Sequence, residues 1–285
     1  MALRVLAPAK INWTLEVMGR RPDGYHEVTT VLQTIALWDE LELEEAPGLE
    51  VETVGGPSFG EEDLALRAAR LLLPQGGVRV RVRKGIPVAA GLGGGSSDAA
   101  AVLRGISSLL GLSICSDELH CLAAGLGSDV PFFLYGGTAL ATGRGEVVSP
   151  LPDAPTVWLV ILVPPFDLEG KTGLMYRSLS PSQYSDGSFT RSFLARMEER
   201  RAVDEGLMHN AFEPVAYALL PDLAHYRRAL LKAGARRVHL AGSGPSLFAL
   251  AADVAEAEAM AARLRAEGLT PLVARTAGRT EALGG

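Results

Sequence analysis

Ile86-Pro-Val-Ala-Ala-Gly-Leu-Gly-Gly-Gly-Ser-Ser-Asp-Ala-Ala-Ala101 runs from a proline through four glycines and two serines into an alanine-rich segment. Glycine allows positive φ and lets backbone approach a ligand closely. Alanine is the best helix former, so a helix is expected from Ser96 to Leu110. A loop that ends at a helix N-terminus gathers free N–H groups and the positive end of the helix dipole. That arrangement suits a phosphate. The alternative is a flexible turn capped by serine, but residues 91–95 hold more glycine than a plain turn needs. Gly94, at the centre of the run, is expected at positive φ.

No lysine follows the last glycine, so this is not the common nucleotide loop Gly-x-x-x-x-Gly-Lys-Ser/Thr. Ser96 stands where a dinucleotide fingerprint needs its third glycine, which excludes that motif as well. Three other stretches stand out. Ala7-Pro-Ala-Lys-Ile-Asn-Trp-Thr-Leu15 precedes Arg20-Arg-Pro-Asp-Gly-Tyr-His-Glu27. Gly125-Leu-Gly-Ser-Asp-Val-Pro-Phe-Phe133 lies mid-chain, and His239-Leu-Ala-Gly-Ser-Gly-Pro-Ser-Leu-Phe248 near the end. Read alone, Lys10 could form a surface ion pair, and Asp129 before Val-Pro could cap a helix or turn. Tyr25-His26 could be an exposed turn after Asp-Gly, Tyr176 a core residue, and Lys84 a solvated strand end.

Taken together and in this order, the four motifs resemble those of the GHMP kinases. The triple glycine with Ser-Ser-Asp, and the Tyr-His pair, are similar to the branch whose acceptor carries a cytidine diphosphate. That resemblance implies an α+β fold of two domains, ribosomal-S5-domain-2-like over 1–150 and ferredoxin-like over 151–285. It implies ATP and Mg²⁺ as cofactors and transfer of a phosphoryl group to the 2-hydroxyl of CDP-methylerythritol. Lys84, Pro87, Gly91, Leu92, Gly93, Gly94, Gly95, Ser96, Ser97 and Asp98 would hold the nucleotide, with Ser97 reaching Mg²⁺. Asp129 would act as base and Lys10 would pair with it. Tyr25 and Tyr176 would sandwich the cytosine, with His26 alongside and Asn12 and Thr172 as hydrogen-bonding partners of the acceptor. One departure concerns Asp63, which stands where an adenine-facing asparagine is common in the family.

Composition narrows the setting. A chain of 285 residues can hold one large or two ordinary domains. Its net charge of −6 argues against general affinity for nucleic acid or membrane. No apolar run reaches transmembrane length; the longest, Val157 to Val163, reads as a buried strand. Cys115 and Cys121 have no metal-ligand spacing and read as ordinary thiols of a cytoplasmic chain, a monomer or weak dimer. Lysine and asparagine are scarce, which fits either a thermophile or GC-rich codon usage. The survivors are Lys10, Lys84, Lys171, Lys232, Asn12 and Asn210, and several fall in the motifs.

Pattern gives the coarse layout. Strands are expected at Leu3–Leu6, Ile11–Val17 and Val28–Leu43, with a turn at Pro22-Asp-Gly24. Helices are expected at Asp63–Leu73, Ser116–Ala124, 190–201, 211–219, 222–233 and 253–267. The alternating Arg79-Val-Arg-Val-Arg-Lys84 reads as a strand with valines inward. Phe132–Thr142 reads as a strand broken at Gly136-Gly137, and residues 271–275 as another. Residues 242–245 read as a hairpin turn and 276–285 as a frayed tail.

Overall fold

The computed structural model describes residues 2–57, 60–74, 76–166, 170–200 and 202–284. β1 (Leu3–Arg20) and β2 (His26–Glu45) pair as one long antiparallel hairpin. β1 is continuous where two strands were expected. Its register shifts at Pro8/Ala9, Asn12/Thr14 and Val17/Gly19 let one strand bend without ending. β3 (Glu50–Val54), α1 (Leu64–Leu72) and β4 (Val78–Arg83) follow. On β4 the valines are buried and the arginines exposed, as alternation requires. Arg79 pairs with Glu44 and Glu50, and Arg81 with Glu52. β3 was not anticipated; it is a short edge strand with weak alternation.

α2 (Gly94–Leu109) begins two residues before the expected Ser96 and packs Ala99–Leu103 against the sheet. Positive φ falls on Gly91 and Gly93, not on Gly94, because Gly94 is already helical. α3 (Ser116–Leu126) leads to α4 (Phe132–Tyr135), β5 (Thr138–Thr142) and β6 (Val147–Pro150). Residues 132–135 are therefore a helical turn, not a strand. Pro131, at φ −57° and ψ −36°, is set for helix entry, and Phe132 and Phe133 are fully buried beneath it. The first sheet has the order β3-β4-β2-β1, with β5 on β2 and β6 on β5.

The second half opens with β7 (Trp158–Leu162), α5 (Lys171–Arg177) and α6 (Ser188–Arg200). β8 (His209–Asn210) crosses to pair parallel with β1 in the first sheet. α7 (Glu213–Leu219), α8 (Leu223–Lys232), β9 (His239–Leu240), β10 (Leu247–Ala251), α9 (Val254–Ala266) and β11 (Leu272–Arg275) complete a second sheet. Its strand order β11-β7-β10-β9 and all-antiparallel pairing match the expected ferredoxin-like arrangement. Ile11, Trp13, Ile35, Ile161, Phe193 and Phe248 form the apolar cluster that joins the halves.

The tail is not frayed. Thr276 bridges Ile35, the Ala277 N–H donates to Thr34 O at 2.9 Å, and Gln33 Nε2 donates to Ala277 O at 3.0 Å. α10 (Arg279–Ala282) then buries Ala282 completely. Gly285 and the last residue of the expected 190–201 helix lie outside the described residues. These contacts return the chain end to the first sheet, which local sequence could not reveal.

Candidate active site

A cleft of about 1510 Å³ lies between the halves. Every site residue expected from the sequence lines it except Ser97. Among the described residues six lysines and arginines line it against four acids, in a chain of net charge −6. The basic character is thus local to the cleft.

The phosphate loop forms one wall. Gly91 has φ +80°, and a Cβ there would stand 2.5 Å from the carbonyl oxygens of both Ala241 and Gly244. Only glycine lets this loop press against the 242–244 turn. Leu92 O accepts from the Lys10 N–H at 2.8 Å, which ties β1 to the loop. Asn210, buried on β8, donates from Nδ2 to Leu240 O at 2.9 Å and Gly242 O at 2.8 Å, steadying the second turn.

Lys10 is 4% exposed, yet its Nζ lies 3.3 Å from Asp129 Oδ2. Asn12, two residues along the same strand face, accepts from Lys10 Nζ at 2.9 Å. Asn12 Nδ2 then donates to Thr30 Oγ1 at 2.8 Å, which fixes the amide. Asp129 caps nothing among the described residues: α4 has no side-chain cap, and the Asp129 side chain is 39% exposed. A held cation beside a carboxylate that opens to the cleft can orient a hydroxyl and take its proton.

Lys84 is not a solvated strand end. Its ammonium binds Asp39, and Asp98 at 2.6 Å, with all three side chains buried. Asp39 Oδ1 also accepts from the Gly85 and Ile86 N–H groups at 2.7 and 2.8 Å. Burial opposes the Lys84 charge, but Asp98 and Asp39 outweigh it and raise its pKa. Burial raises the Asp98 carboxyl strongly; Lys84 opposes that shift and Asp39 adds to it. Asp39 was missed from sequence, although it shares the inward parity of Leu41 and Leu43. A carboxylate in a buried strand position signals a partner.

Ser97 turns inward on α2, its Oγ buried without a partner, whereas Ser96 is half-buried and lines the cleft. Successive helix positions rotate apart, so only one of the two can face the ligand space. Asp63 accepts from the Ala65 and Leu66 N–H groups at 2.8 and 3.3 Å, so its carboxylate serves as the α1 cap.

At the other end, His26 stacks on Tyr176 with centroids 5.1 Å apart and 25° between planes. Tyr176 meets Phe212 edge-on, and burial with nearby Asp129 pushes its phenol well up. Burial, aided by Arg20, holds the His26 pKa below its usual value. Tyr25 is 52% exposed and lies under the Arg144 guanidinium at 5.0 Å. The structure therefore pairs Tyr176 with His26 directly and leaves Tyr25 apart from both. Thr172 Oγ1 lies 3.2 Å from Ser243 Oγ. Sequence reading missed Arg144, Tyr184 and Lys171. Lysine scarcity was the available signal for Lys171: three of the four lysines line this cleft, and Lys232 pairs with Glu267 outside it.

Known proteins align with this geometry. The GHMP kinases N terminal domain model matches residues 63–137, and the GHMP kinases C terminal model residues 194–269. A 4-diphosphocytidyl-2-C-methyl-D-erythritol kinase of Pelotomaculum thermopropionicum is 43% identical, covering 97% of this chain and 98% of its own. The kinase of the same name from Geobacillus kaustophilus is 42% identical over 88% of each. A crystal structure of a 4-(cytidine 5'-diphospho)-2C-methyl-D-erythritol kinase superposes with TM-score 0.82 at 37% identity, covering 97% of this chain and all of that one. Homoserine kinase from Cytophaga hutchinsonii shares the fold at TM-score 0.70 and 19% identity, over 99% of this chain and 96% of its own. The chain belongs to the GHMP kinases, within the family of the 4-diphosphocytidyl-2-C-methyl-D-erythritol kinases.

Proposed function

We propose that this enzyme transfers the γ-phosphoryl group of ATP to the 2-hydroxyl of 4-diphosphocytidyl-2-C-methyl-D-erythritol. The observation that carries the reading is the Lys10–Asp129 pair, 3.3 Å apart, set in the cleft between the phosphate loop and the His26–Tyr176 wall. In the reaction Asp129 accepts the hydroxyl proton, and Lys10 stabilises negative charge on the attacking oxygen. The loop N–H groups at the start of α2 cradle the triphosphate. The acceptor's cytosine stacks on the exposed face of Tyr25, with the Tyr176–His26 pair as the opposite wall; His26 is neutral there and can read the base edge. Asn12 and Thr172 bind the polyol.

Among the described residues no three His, Cys, Asp or Glu side chains converge on a metal position. That fits Mg²⁺, which binds mainly through nucleotide oxygens and water, with the Ser96 hydroxyl as the cleft-facing donor in place of Ser97. When bound, Mg²⁺ neutralises charge on the phosphates. The two cysteines are free and exposed, in keeping with a reducing, cytoplasmic setting. None of the described helices is long and apolar enough to cross a membrane.

The test is ADP release with CDP-methylerythritol, homoserine and mevalonate offered separately. Turnover of the first alone is expected, inhibited competitively by CMP or CDP and poorly by UMP. Turnover of either other acceptor without CDP-methylerythritol overturns the substrate assignment.

A further inference from the structure

Lys171 opens α5 and lines the cleft. Its Nζ donates to Ala89 O at 2.7 Å, just before the loop, and to Gly244 O in the second glycine turn. These are the two segments that meet at Gly91, where a Cβ would strike the backbone. The lysine therefore spans a seam that is already too tight for a side chain. Its two partners are neutral carbonyls, and among the described residues no carboxylate pairs with it. Lys84, in contrast, has two. A half-buried ammonium without a counter-charge is costly unless an anion completes its shell. Burial and the positive charge of Lys10 together lower its pKa to about 8. Lys10 Nζ stands 3.1 Å from where a Cβ of Gly242 would lie, and Lys171 Nζ binds Gly244 O, so both ammonium groups border the same glycine turn.

We infer that Lys171 is a phosphate-contacting residue of the transfer site, whose carbonyl bonds hold its ammonium across the seam between the two glycine turns. The inference rests on the phosphoryl-transfer reading above. The anion it serves is a polyphosphate, either the triphosphate of ATP or the diphosphate of the acceptor. A lysine acts there as a compact point charge, so arginine should substitute in part and methionine should not.

The test compares wild type, Lys171→Met and Lys171→Arg by calorimetric binding of a non-hydrolysable ATP analogue and, separately, of CDP. One affinity should fall roughly 10–100-fold in the Met variant, the range for a charge-assisted hydrogen bond, and be restored in part in the Arg variant. The arm that falls identifies which phosphates are met. Unchanged affinity in both arms overturns the inference. So does a loss in the Met variant that tracks a lowered unfolding midpoint and is not rescued by Arg, since that is the signature of a structural tie alone. If wild type binds the ATP analogue through Lys171 yet never turns over CDP-methylerythritol, the substrate reading fails and this inference stands.

Discussion

Two lysine–carboxylate sites border the phosphate loop, one with Lys10 against Gly93 and one with Lys84 against Gly94, and they differ in one respect. At Lys10–Asp129 the lysine is buried but the carboxylate is 39% exposed to the cleft. At Lys84–Asp39–Asp98 every charged side chain is at most 8% exposed. The second cluster holds Gly85 and Ile86 at the loop's entry through Asp39, and its charges are consumed within the protein. The first leaves one partner available to an outside molecule. An ion pair near a ligand loop is therefore not by itself a reactive group; the exposure of its acid decides.

The largest effect that tests this contrast is on rate. Asp129→Asn should lower kcat by about 10²–10⁴ while ATP affinity and the unfolding midpoint hold. Near-wild-type turnover would erase the distinction. Next comes the same substitution made at each lysine in turn. Lys84→Met strands two buried carboxylates and should lower the unfolding free energy by about 3–5 kcal/mol in denaturant titration. Lys10→Met should cost much less stability, because Asp129 can turn to water. Equal losses would mean the two sites are alike.

A smaller effect lies on the open side. Tyr25 is half-exposed, so Tyr25→Ala should spare the fold. It should weaken the acceptor by about 1–3 kcal/mol, the scale of one base stack, read as a rise in its KM at constant ATP affinity. The smallest is a pH effect confined to the closed site. The folded-state pKa of Asp98 is raised above its unfolded value. Its contribution to stability is thus fully present below the ordinary carboxylate range and is lost as pH rises through the raised value. Wild type should lose denaturant resistance between mildly acidic and mildly alkaline pH, and Asp98→Asn should flatten that slope. A slope unchanged in the variant would assign the titration elsewhere.

The sequence by itself determined whatever local chemistry encodes. The glycine run and its alanine-rich helix, the alternating arginines of β4 and the apolar β7 strand Trp158–Leu162 are readable because propensity and periodicity act over neighbouring residues. The four motifs carried Lys10 and Asp129 as well, though only through resemblance, since the two lie far apart in the chain. Tertiary structure decided the rest. It paired Lys10 with Asp129 and gave Lys84 two buried acids. It set Ser96 rather than Ser97 toward the cleft, and brought Lys171 across to both glycine turns. It also docked the C-terminal tail on Thr34 and Gln33. Each of these depends on which distant backbone comes within hydrogen-bond reach. Packing of the two sheets against one shared apolar cluster fixes that, and no local pattern records it.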